Sequence, residues 1–266
     1  MVSASLLIST YNRPDALELC LKSILRQTVQ PFEVVICDDG STEETKILIK
    51  KYQGLTNIPI IHVWQPDEGF KVGQIRNKGI AKATGNYIIQ ADGDLILHKD
   101  FIKDHLAICQ PGFFTTGSRV LLSKETTEAL IKNNSIELNK YSKKETNFFN
   151  GLRIPFLRDF LSGRYKIKGR YLYYIKGCNM AFWKEDLVKI NGYNEAITGW
   201  GKEDTEICIR LINTGVKKHF LKFGGITYHL FHKEASREML QKNTDLMQET
   251  IDKKISRASI GLDQYL

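Results

Sequence analysis

Along residues 1–110, short apolar runs alternate with segments in which apolar side chains recur every three or four positions. The short runs are typical of buried strands, and the longer periodic segments are typical of amphipathic helices. Strands that alternate with helices predict a parallel sheet with right-handed crossovers. The predicted strands cover residues 5–9, 32–37, 59–64 and 87–91. The predicted helices follow Asn12 and Ser41 and cover residues 72–83 and 101–109.

Two of these helices begin with capping signals. Asn12 is a residue type that caps helices, and Pro14 fits the first turn that follows it. Ser41 and Glu44 have the spacing of a capping box, in which each side chain bonds to the backbone of the other residue. We therefore expect Asn12 and Ser41 to cap the first two helices.

The second half of the chain is less regular. Residues 123–170 are polar, basic and aromatic with weak periodicity, which predicts an insertion. No internal repeat or low-complexity linker separates the parts of the chain, so we expect a single compact domain with this insertion and a helical tail. The elements predicted after the insertion are a strand over 171–175, a helix over 202–213, strands over 218–222 and 226–228, and a charged helical tail over 233–256.

The net charge of +8 comes from one segment. Between Lys132 and Lys176 there are eleven Lys and Arg residues against three Asp and Glu residues, a surplus of eight, so the rest of the chain is balanced. A basic chain is one signature of nucleic-acid binding, but a local surplus describes one surface, and we expect no nucleic-acid partner. Two interpretations stay open: a solvated insertion, or a surface that docks on an anionic membrane or lipid-diphosphate acceptor with its aromatics at the interface.

No stretch of the sequence reaches the roughly 18 to 20 apolar residues that span a bilayer. The first apolar run is also too short, and too close to Met1, for a signal peptide. We therefore expect a cytoplasmic protein, which lies at the inner face of the membrane if the basic segment docks there.

The first strong chemical signal is Asp92-Gly93-Asp94, directly after the fourth predicted strand. In extended backbone, side chains two positions apart point the same way, so both carboxylates can face one site. Gly93 leaves room for a diphosphate, and hard divalent cations bind carboxylate and phosphate oxygens together. A solvated turn is the alternative. Ligands of parallel sheets bind at the carboxyl ends of strands, which favours a cation site here.

The second strand ends at Asp38-Asp39-Gly40-Ser41. A carboxylate at this place accepts a hydrogen bond from a base or ribose, although acids also simply begin helices. The first strand is not followed by G-x-G-x-x-G, which counts against a dinucleotide-binding enzyme.

A second strong signal is Gly199-Trp200-Gly201-Lys202-Glu203-Asp204, which places an aromatic side chain beside paired carboxylates at a helix start. Trp200 between two glycines is hard to explain as a core residue and is suited to stacking on a sugar. Asp204 is suited to taking a proton from an acceptor hydroxyl, although acids at a helix start also complement the helix dipole. His229 and His232 follow a predicted strand, and we favour His232 as an imidazole metal ligand.

These motifs together resemble family-2 glycosyltransferases of the GT-A fold, an α/β fold with a Rossmann-like mixed sheet flanked by helices. The group related to bacterial chondroitin polymerase is the nearest in pattern, and residues 177–204 are similar to a region of β-1,4-galactosyltransferases. The residues that carry the resemblance are Ser9-Thr10-Tyr11-Asn12-Arg13-Pro14, Asp38-Asp39-Gly40-Ser41, Gln74-Ile75-Arg76-Asn77-Lys78-Gly79-Ile80, Asp92-Gly93-Asp94, Gly177-Cys178-Asn179-Met180 and the run from Gly199 to Asp204.

The resemblance implies roles for individual residues. Asp94 would bind Mn²⁺ or Mg²⁺ at the diphosphate with His232, while His229 stands where the galactosyltransferases have methionine. Asp204 would be the catalytic base. The nucleotide pocket would contain Ser9, Tyr11, Asp39 at the uracil, Arg76, Asp92 near the ribose, and Gly93. Trp200 would touch donor and acceptor, Glu203 would bind acceptor hydroxyls, and Lys202 replaces a usual glycine.

The resemblance also implies a division of the chain and an activity. Residues 1–122 would be the nucleotide-sugar-binding half, 123–170 the basic and aromatic insertion, 171–232 the acceptor and catalytic half, and 233–266 the helical tail. The activity would be inverting transfer of a hexose or N-acetylhexosamine from a UDP-sugar to a saccharide or lipid-linked saccharide, in bacterial surface polysaccharide biosynthesis.

Two other functions are weighed against this one. A sugar-nucleotide pyrophosphorylase would need a glycine- and arginine-rich phosphate loop after its first strand, and that loop is absent. A non-catalytic carbohydrate-binding protein would not need the metal acids together with Asp204.

Overall fold

A computed structural model describes residues 1–138, 145–233 and 236–266 of the chain. The strands are β1 (Ala4–Thr10), β2 (Glu33–Asp38), β3 (Ile60–Trp64), β4 (Tyr87–Asp92), β5 (Leu95–Leu97), β6 (Phe113–Thr116), β7 (Val120–Leu121), β8 (Asn179–Trp183), β9 (Lys217–Phe220) and β10 (Thr227–His229). The α-helices are α1 (Pro14–Leu25), α2 (Glu43–Gln53), α3 (Val72–Lys82), α4 (Phe101–Ile108), α5 (Lys124–Lys132), α6 (Pro155–Leu161), α7 (Lys184–Lys189), α8 (Glu203–Asn213) and α9 (Leu240–Asp252).

The main sheet has seven strands in the order β3-β2-β1-β4-β8-β6-β9. Strands β1 to β4 pair in parallel, as predicted, while β8 is antiparallel to both of its neighbours, β4 and β6. The predicted α/β fold with a mixed sheet flanked by helices is therefore confirmed.

Both faces of the main sheet are covered by helices, which explains why its central strands read as nearly continuous apolar runs. Alternate residues of β1 point to opposite faces. Leu6 and Ile8 pack in one core cluster, which also contains residues of α1 and α2, and Leu7 packs in another with residues of α3 and α8. This double burial holds the carboxyl ends of the parallel strands at one edge.

A second sheet of three strands, β5-β10-β7, stands beside that edge. β10 pairs antiparallel with β5, so that His229 lies opposite Leu95. The backbone N–H of Leu230 donates to the carbonyl of Asp94 at 3.0 Å. This pairing fastens the chain around His229 to the turn that carries Asp94.

The strand predicted over 171–175 is wrong, and the strand of this region is β8, beginning at Asn179. The ammonium of Lys218 donates to the backbone carbonyls of Tyr171, Leu172 and Tyr174, at 3.0, 3.3 and 2.7 Å. Carbonyls that converge on one buried lysine are not available to a sheet ladder. The high strand propensity of this aromatic run is thus overridden by a tertiary contact.

Neither predicted cap forms. The first residues before α1 and α2 are Arg13 and Thr42, and neither side chain caps its helix. Instead, the Asn12 N–H donates to Ser41 Oγ at 2.9 Å, and Asn12 Oδ1 accepts from the Thr42 N–H at 2.9 Å. Asn12 adopts a left-handed φ of 46°, which turns its side chain toward the neighbouring loop. These bonds tie the loop after β1 to the loop after β2.

No helix within residues 1–138, 145–233 and 236–266 is both long and apolar enough to cross a bilayer.

Candidate active site

The guanidinium of Arg76, on α3, joins three elements at the carboxyl edge of the main sheet. Its Nε donates to Ser9 Oγ at 2.9 Å, its Nη2 to Asp92 Oδ1 at 3.1 Å, and its Nη1 to Asp204 Oδ1 at 2.9 Å. The side chain is 3% exposed and lies over the ring of Tyr193, 5.3 Å from the centroid. The ends of β1 and β4 and the first turn of α8 therefore meet on one buried cation.

Burial sets the ionisation of this cluster. Burial alone would lower the pKa of Arg76, but the carboxylates of Asp204 and Asp92 raise it on balance, so the guanidinium stays charged. Burial raises the pKa of Asp92 to about 6 despite the neighbouring Arg76. Burial, followed by the charge of Asp204, raises the pKa of Glu203 to about 7. Four charged groups thus share a site that is poor in solvent, a pattern typical of functional sites.

Asp204 sits at the first turn of α8 and is held by more than Arg76. Its Oδ1 also accepts from the hydroxyl of Tyr193 at 3.3 Å and from Gln90 Nε2 at 3.4 Å. Tyr193 in turn donates to Gln90 Oε1 at 2.6 Å. Every hydrogen bond to this carboxylate from the described residues is on Oδ1, whereas Oδ2 lies against Gly177 and accepts none of them.

Asp94, His229 and His232 form a candidate metal centre. Asp94 Oδ2 lies 3.2 Å from His232 Nε2 and 3.6 Å from His229 Nε2, and one ligand atom from each of the three side chains lies within 4.8 Å of the others. Asp94 Oδ1 is buried and has no hydrogen-bond partner among the described residues. A carboxylate with two imidazoles suits borderline divalent metals, and the orphaned oxygen needs a partner. The residues therefore fit a divalent cation.

The histidines of this centre differ in environment. Burial lowers the pKa of His229, whereas the hydrogen bond with Asp94 raises the pKa of His232. Burial would raise the pKa of Asp94, but the hydrogen bond from His232 and the charges of both histidines lower it on balance. The carboxylate is thus held in the ionised form that a metal requires.

The sequence pattern suggested that Asp92 and Asp94 face one site, but the two carboxylates contact different partners. β4 ends at Asp92, and Gly93 and Asp94 lie in a turn instead of extended backbone. Asp92 meets Arg76, whereas Asp94 meets the histidines. The N–H of Gly93 donates to the Ser9 carbonyl at 2.7 Å, and a Cβ on Gly93 would lie 3.0 Å from that oxygen. The glycine thus packs closely against β1.

At the end of β2, Asp39 is buried and both of its oxygens accept hydrogen bonds. Oδ1 accepts from Gln65 Nε2 at 2.6 Å, and Oδ2 accepts from the Lys71 N–H at 2.9 Å. Burial raises the pKa of Asp39. Tyr11 lies nearby, half exposed, and its hydroxyl donates to Asp67 Oδ2 at 2.8 Å. These residues share no hydrogen bond with the Arg76 cluster among the described contacts, although both groups lie at ends of neighbouring strands.

The side chain of Trp200 is 39% exposed. Its loop contains three residues with positive φ angles. Gly199 and Gly201 have φ values of 70° and 105°, and Lys202 has a φ of 78°. For a non-glycine residue this left-handed conformation costs about 1–2 kcal/mol. Lys202 therefore holds a backbone conformation that glycine adopts without strain, directly before Glu203.

Several site residues were not found from the sequence. Gln90 is a polar residue in the otherwise apolar strand β4, a signal that was available. His229 was only an open alternative, because its contact with Asp94 depends on the pairing of β10 with β5. Tyr193 lies only six positions before Gly199, but nothing in its local sequence marked it as a site residue.

Comparison with known proteins decides the family. Residues 5–167, more than half of the chain, match the model of glycosyl transferase family 2. The chain belongs to glycosyl transferase family 2. Residues 158–233 of this family-2 chain also match a model described as the N-terminal domain of galactosyltransferase.

The relatives and solved structures agree with this assignment. The chain is 27% identical over 243 residues to a chondroitin synthase of Escherichia coli, a match that covers 85% of this chain and 34% of that protein. It resembles the structure of Staphylococcus aureus TarS 1–349 in complex with UDP, with a TM-score of 0.65, 16% identity and coverage of 99% and 68%. It also resembles the mannosyltransferase PcManGT from Pyrobaculum calidifontis in complex with GDP-Man and Mn²⁺, with a TM-score of 0.63, 15% identity and coverage of 98% and 66%.

At such identities the structures show a shared GT-A fold. The chain spans about half or less of the length of the first curated relatives that it matches.

Proposed function

We propose that this chain catalyses inverting transfer of a hexose or N-acetylhexosamine from a UDP-sugar to a saccharide or lipid-linked saccharide, in bacterial surface polysaccharide biosynthesis. The observation that carries the proposal is the contact of one buried cation, Arg76, with both Asp92 and Asp204. Asp92, which we assign to the nucleotide, and Asp204, the candidate base, thus share one guanidinium, and the charge of Asp94 is near enough to raise the pKa of Asp92.

Asp204 is the group that we assign to the acceptor hydroxyl. Arg76, Tyr193 and Gln90 all bond to Oδ1 and so fix the orientation of the carboxylate. Oδ2 takes the proton as the hydroxyl oxygen attacks the anomeric carbon. A single displacement with one base inverts the configuration, so an α-linked donor gives a β-linked product.

The donor is held, in this proposal, at the ends of β1, β2 and β4. Asp39 accepts from the uracil N3–H, and Tyr11 lines the base pocket beside Ser9. Arg76 and Asp92 lie near the ribose, and Gly93, which has no side chain, leaves room for the diphosphate to approach the backbone. Fold alone does not choose the nucleotide. We assign UDP because a buried carboxylate recognises a base with an N–H at that position.

Asp94, His232 and His229 would hold the divalent cation, Mn²⁺ or Mg²⁺. When bound there, a divalent cation neutralises the charge that develops on the departing diphosphate. His232 Nε2 lies 3.2 Å from Asp94 Oδ2, so the two ligand atoms face each other, and Nε2 would give up any proton it shares with Asp94 when it binds the cation. His229 adds a third ligand atom from the neighbouring strand.

On the acceptor side, we assign Trp200 to stack on a sugar ring and Glu203 to bind acceptor hydroxyls. This arrangement supports the division proposed from the sequence, with the donor in residues 1–122, the insertion in 123–170, the acceptor in 171–232 and the tail in 233–266. A pyrophosphorylase or a non-catalytic sugar-binding protein would leave Asp204 without a task.

We further propose that the insertion docks on the inner face of an anionic membrane. The segment exposes five apolar side chains, called the apolar ridge below, which support this contact: Phe149, Leu152, Ile154, Phe156 and Phe160. Arg164 lies 4.7 Å from the centroid of the Phe160 ring, and Lys168 and Arg170 of the same segment are exposed. Three further lysines of the basic segment, Lys140, Lys143 and Lys144, lie outside the described residues.

A panel of UDP-sugars, with UDP, GDP and CDP as competitors, tests the proposed activity. Release of UDP from one UDP-sugar in the presence of Mn²⁺, and no effect of added nucleic acid, is the expected result. Donor hydrolysis needs no acceptor, so the assay does not depend on identifying one. Absence of UDP release from every donor would sink the proposal.

A further inference from the structure

The loop that carries Trp200 is held from behind by the C-terminal part of the chain, which lies outside both matched family regions. Asn243, on α9, is fully buried. Its Nδ2 donates to the Thr198 carbonyl at 2.9 Å and to the Gly201 carbonyl at 3.0 Å. One amide group therefore bridges the two ends of the turn Gly199-Trp200-Gly201.

Other residues of the same segment close on this turn. A Cβ on Gly199 would lie 2.7 Å from Met239 Cγ, and a Cβ on Gly201 would lie 3.0 Å from Leu240 Cδ1. Arg237 covers the Trp200 ring, with its Cζ 5.4 Å from the centroid. The face of the turn toward α9 is thus packed, while Trp200 remains partly exposed.

The polar contacts of Asn243 are unequal. Both donors of Nδ2 are used on the turn, but the buried Oδ1 accepts no bond from the described residues. A buried polar side chain with an unsatisfied oxygen costs stability compared with an apolar residue of similar size. The two hydrogen bonds from Nδ2 to the loop offset this loss of stability.

We propose that Asn243 is a positioning residue that fixes the acceptor loop and thereby the place of Trp200 relative to Asp204. Asp204 follows this loop by only three residues along the chain, but it is anchored separately by Arg76. Loss of Asn243 therefore releases the loop without releasing the base. The inference rests on the proposed function for the role of Trp200, but not for the contacts themselves.

The consequence is a separation of kinetic constants. Asn243→Ala should raise the acceptor KM by about tenfold, because a mobile Trp200 offers less binding energy. The affinity for UDP should stay within about twofold, because the proposed nucleotide site lies at the ends of β1, β2 and β4 and not on this loop. Asn243→Asp, which replaces the donors by oxygen, should do the same or more.

Thr250→Val is the matched control. Thr250 lies on α9 as well, and its hydroxyl donates to Glu206 Oε1 at 3.1 Å without touching the loop. This variant loosens the packing of α9 on α8 and should leave the acceptor KM unchanged within about twofold.

Hydrogen exchange gives a readout that needs no activity. A peptide containing Gly199 to Lys202 should exchange faster in Asn243→Ala and at the wild-type rate in Thr250→Val. Equal exchange and equal acceptor KM in wild type and Asn243→Ala would overturn the inference, as would equal effects of both variants. If wild type transfers no sugar at all, the proposed function fails, and the exchange result still decides whether Asn243 holds the loop.

Discussion

Gly177 and Asp204 are in direct contact, and a Cβ on Gly177 would lie only 1.5 Å from Asp204 Oδ2. The carbonyl of the same glycine accepts from Gln90 Nε2 at 2.8 Å, and Gln90 also bonds to Asp204 Oδ1. Gly177, two residues before β8, therefore limits where the carboxylate of the candidate base can lie.

Gly177→Ala is expected to displace the carboxylate of Asp204. A displacement of about 1 Å at a reacting group costs about 10²-fold in rate, so kcat should fall by at least that factor with UDP affinity retained. Gly54→Ala is the control, because a Cβ there would lie 3.5 Å from its nearest neighbour, the Lys51 carbonyl. Normal turnover in Gly177→Ala would show that Asp204 is not the base.

Asp204→Asn keeps the shape of the side chain but cannot accept the proton. We expect kcat to fall by about 10² to 10⁴, while the Kd for UDP with Mn²⁺, measured by calorimetry, stays within about threefold. Glu203→Gln in parallel separates the neighbours. A larger loss of kcat in Glu203→Gln than in Asp204→Asn would move the base to Glu203.

The candidate metal centre predicts that activity is lost in EDTA and restored by Mn²⁺. Asp94→Asn and His232→Ala should each weaken Mn²⁺ binding, measured by calorimetry without substrate, by at least about tenfold. His229→Met tests the third position in the same titration, and His98→Ala, which contacts Asp100 instead, is the control. Unchanged Mn²⁺ affinity in Asp94→Asn would show that the cation binds elsewhere.

The stability of the chain should depend on pH through Glu203. Its pKa is about 7 in the folded chain against an ordinary 4.5, because it is buried beside Asp204 and the more distant Asp92, which outweigh Arg76. The folded state therefore binds this proton more tightly than the unfolded state. Its stabilising contribution is complete below about pH 4.5 and is lost as the pH rises through about 7.

Glu203→Gln removes this dependence. Between about pH 5 and pH 8, the free energy of unfolding of the variant should rise relative to wild type by on the order of 3 kcal/mol. Urea unfolding at both pH values measures the difference. A difference that does not change with pH would mean that Glu203 ionises normally.

The apolar ridge predicts salt-sensitive co-sedimentation with vesicles that contain anionic lipid. Each basic residue near such a surface contributes about 1 kcal/mol, which salt screens within about 8–10 Å. The double change Phe156→Ser and Phe160→Ser should abolish binding, whereas Ile47→Ser, an exposed apolar residue of α2, should not. Binding that survives the double change would place the contact on another surface.

The sequence predicted the part of the fold that local pattern controls. β1 to β4 and the helices between them follow from short apolar runs and amphipathic periods, since β1, β2 and β4 are buried on both faces. The placement of Ser9, Asp39 and Asp92 at one edge follows from parallel pairing alone.

The rest depends on partners that are distant along the chain. The contact of Asp94 with His229 needs the register of β10 on β5, and the contact of Arg76 with Asp204 joins residues 128 positions apart. Segment 171–175 has the composition of a strand, but its backbone carbonyls accept hydrogen bonds from Lys218 instead of from a neighbouring strand. No local pattern contains that information.

The antiparallel pairing of β8 with β6 also shapes how the chain tolerates change. Thr116 lies opposite Met180, and the N–H of Gly117 donates to the Asn179 carbonyl at 2.7 Å, so the whole excursion from 117 to 178 leaves and re-enters the sheet at one point. Closing a loop whose ends are already pinned costs only about 0.6 kcal/mol more for each doubling of its length. Lengthening the connections of this excursion that lie outside β7, α5 and α6 should therefore cost little free energy, while the register of the seven strands stays as it is.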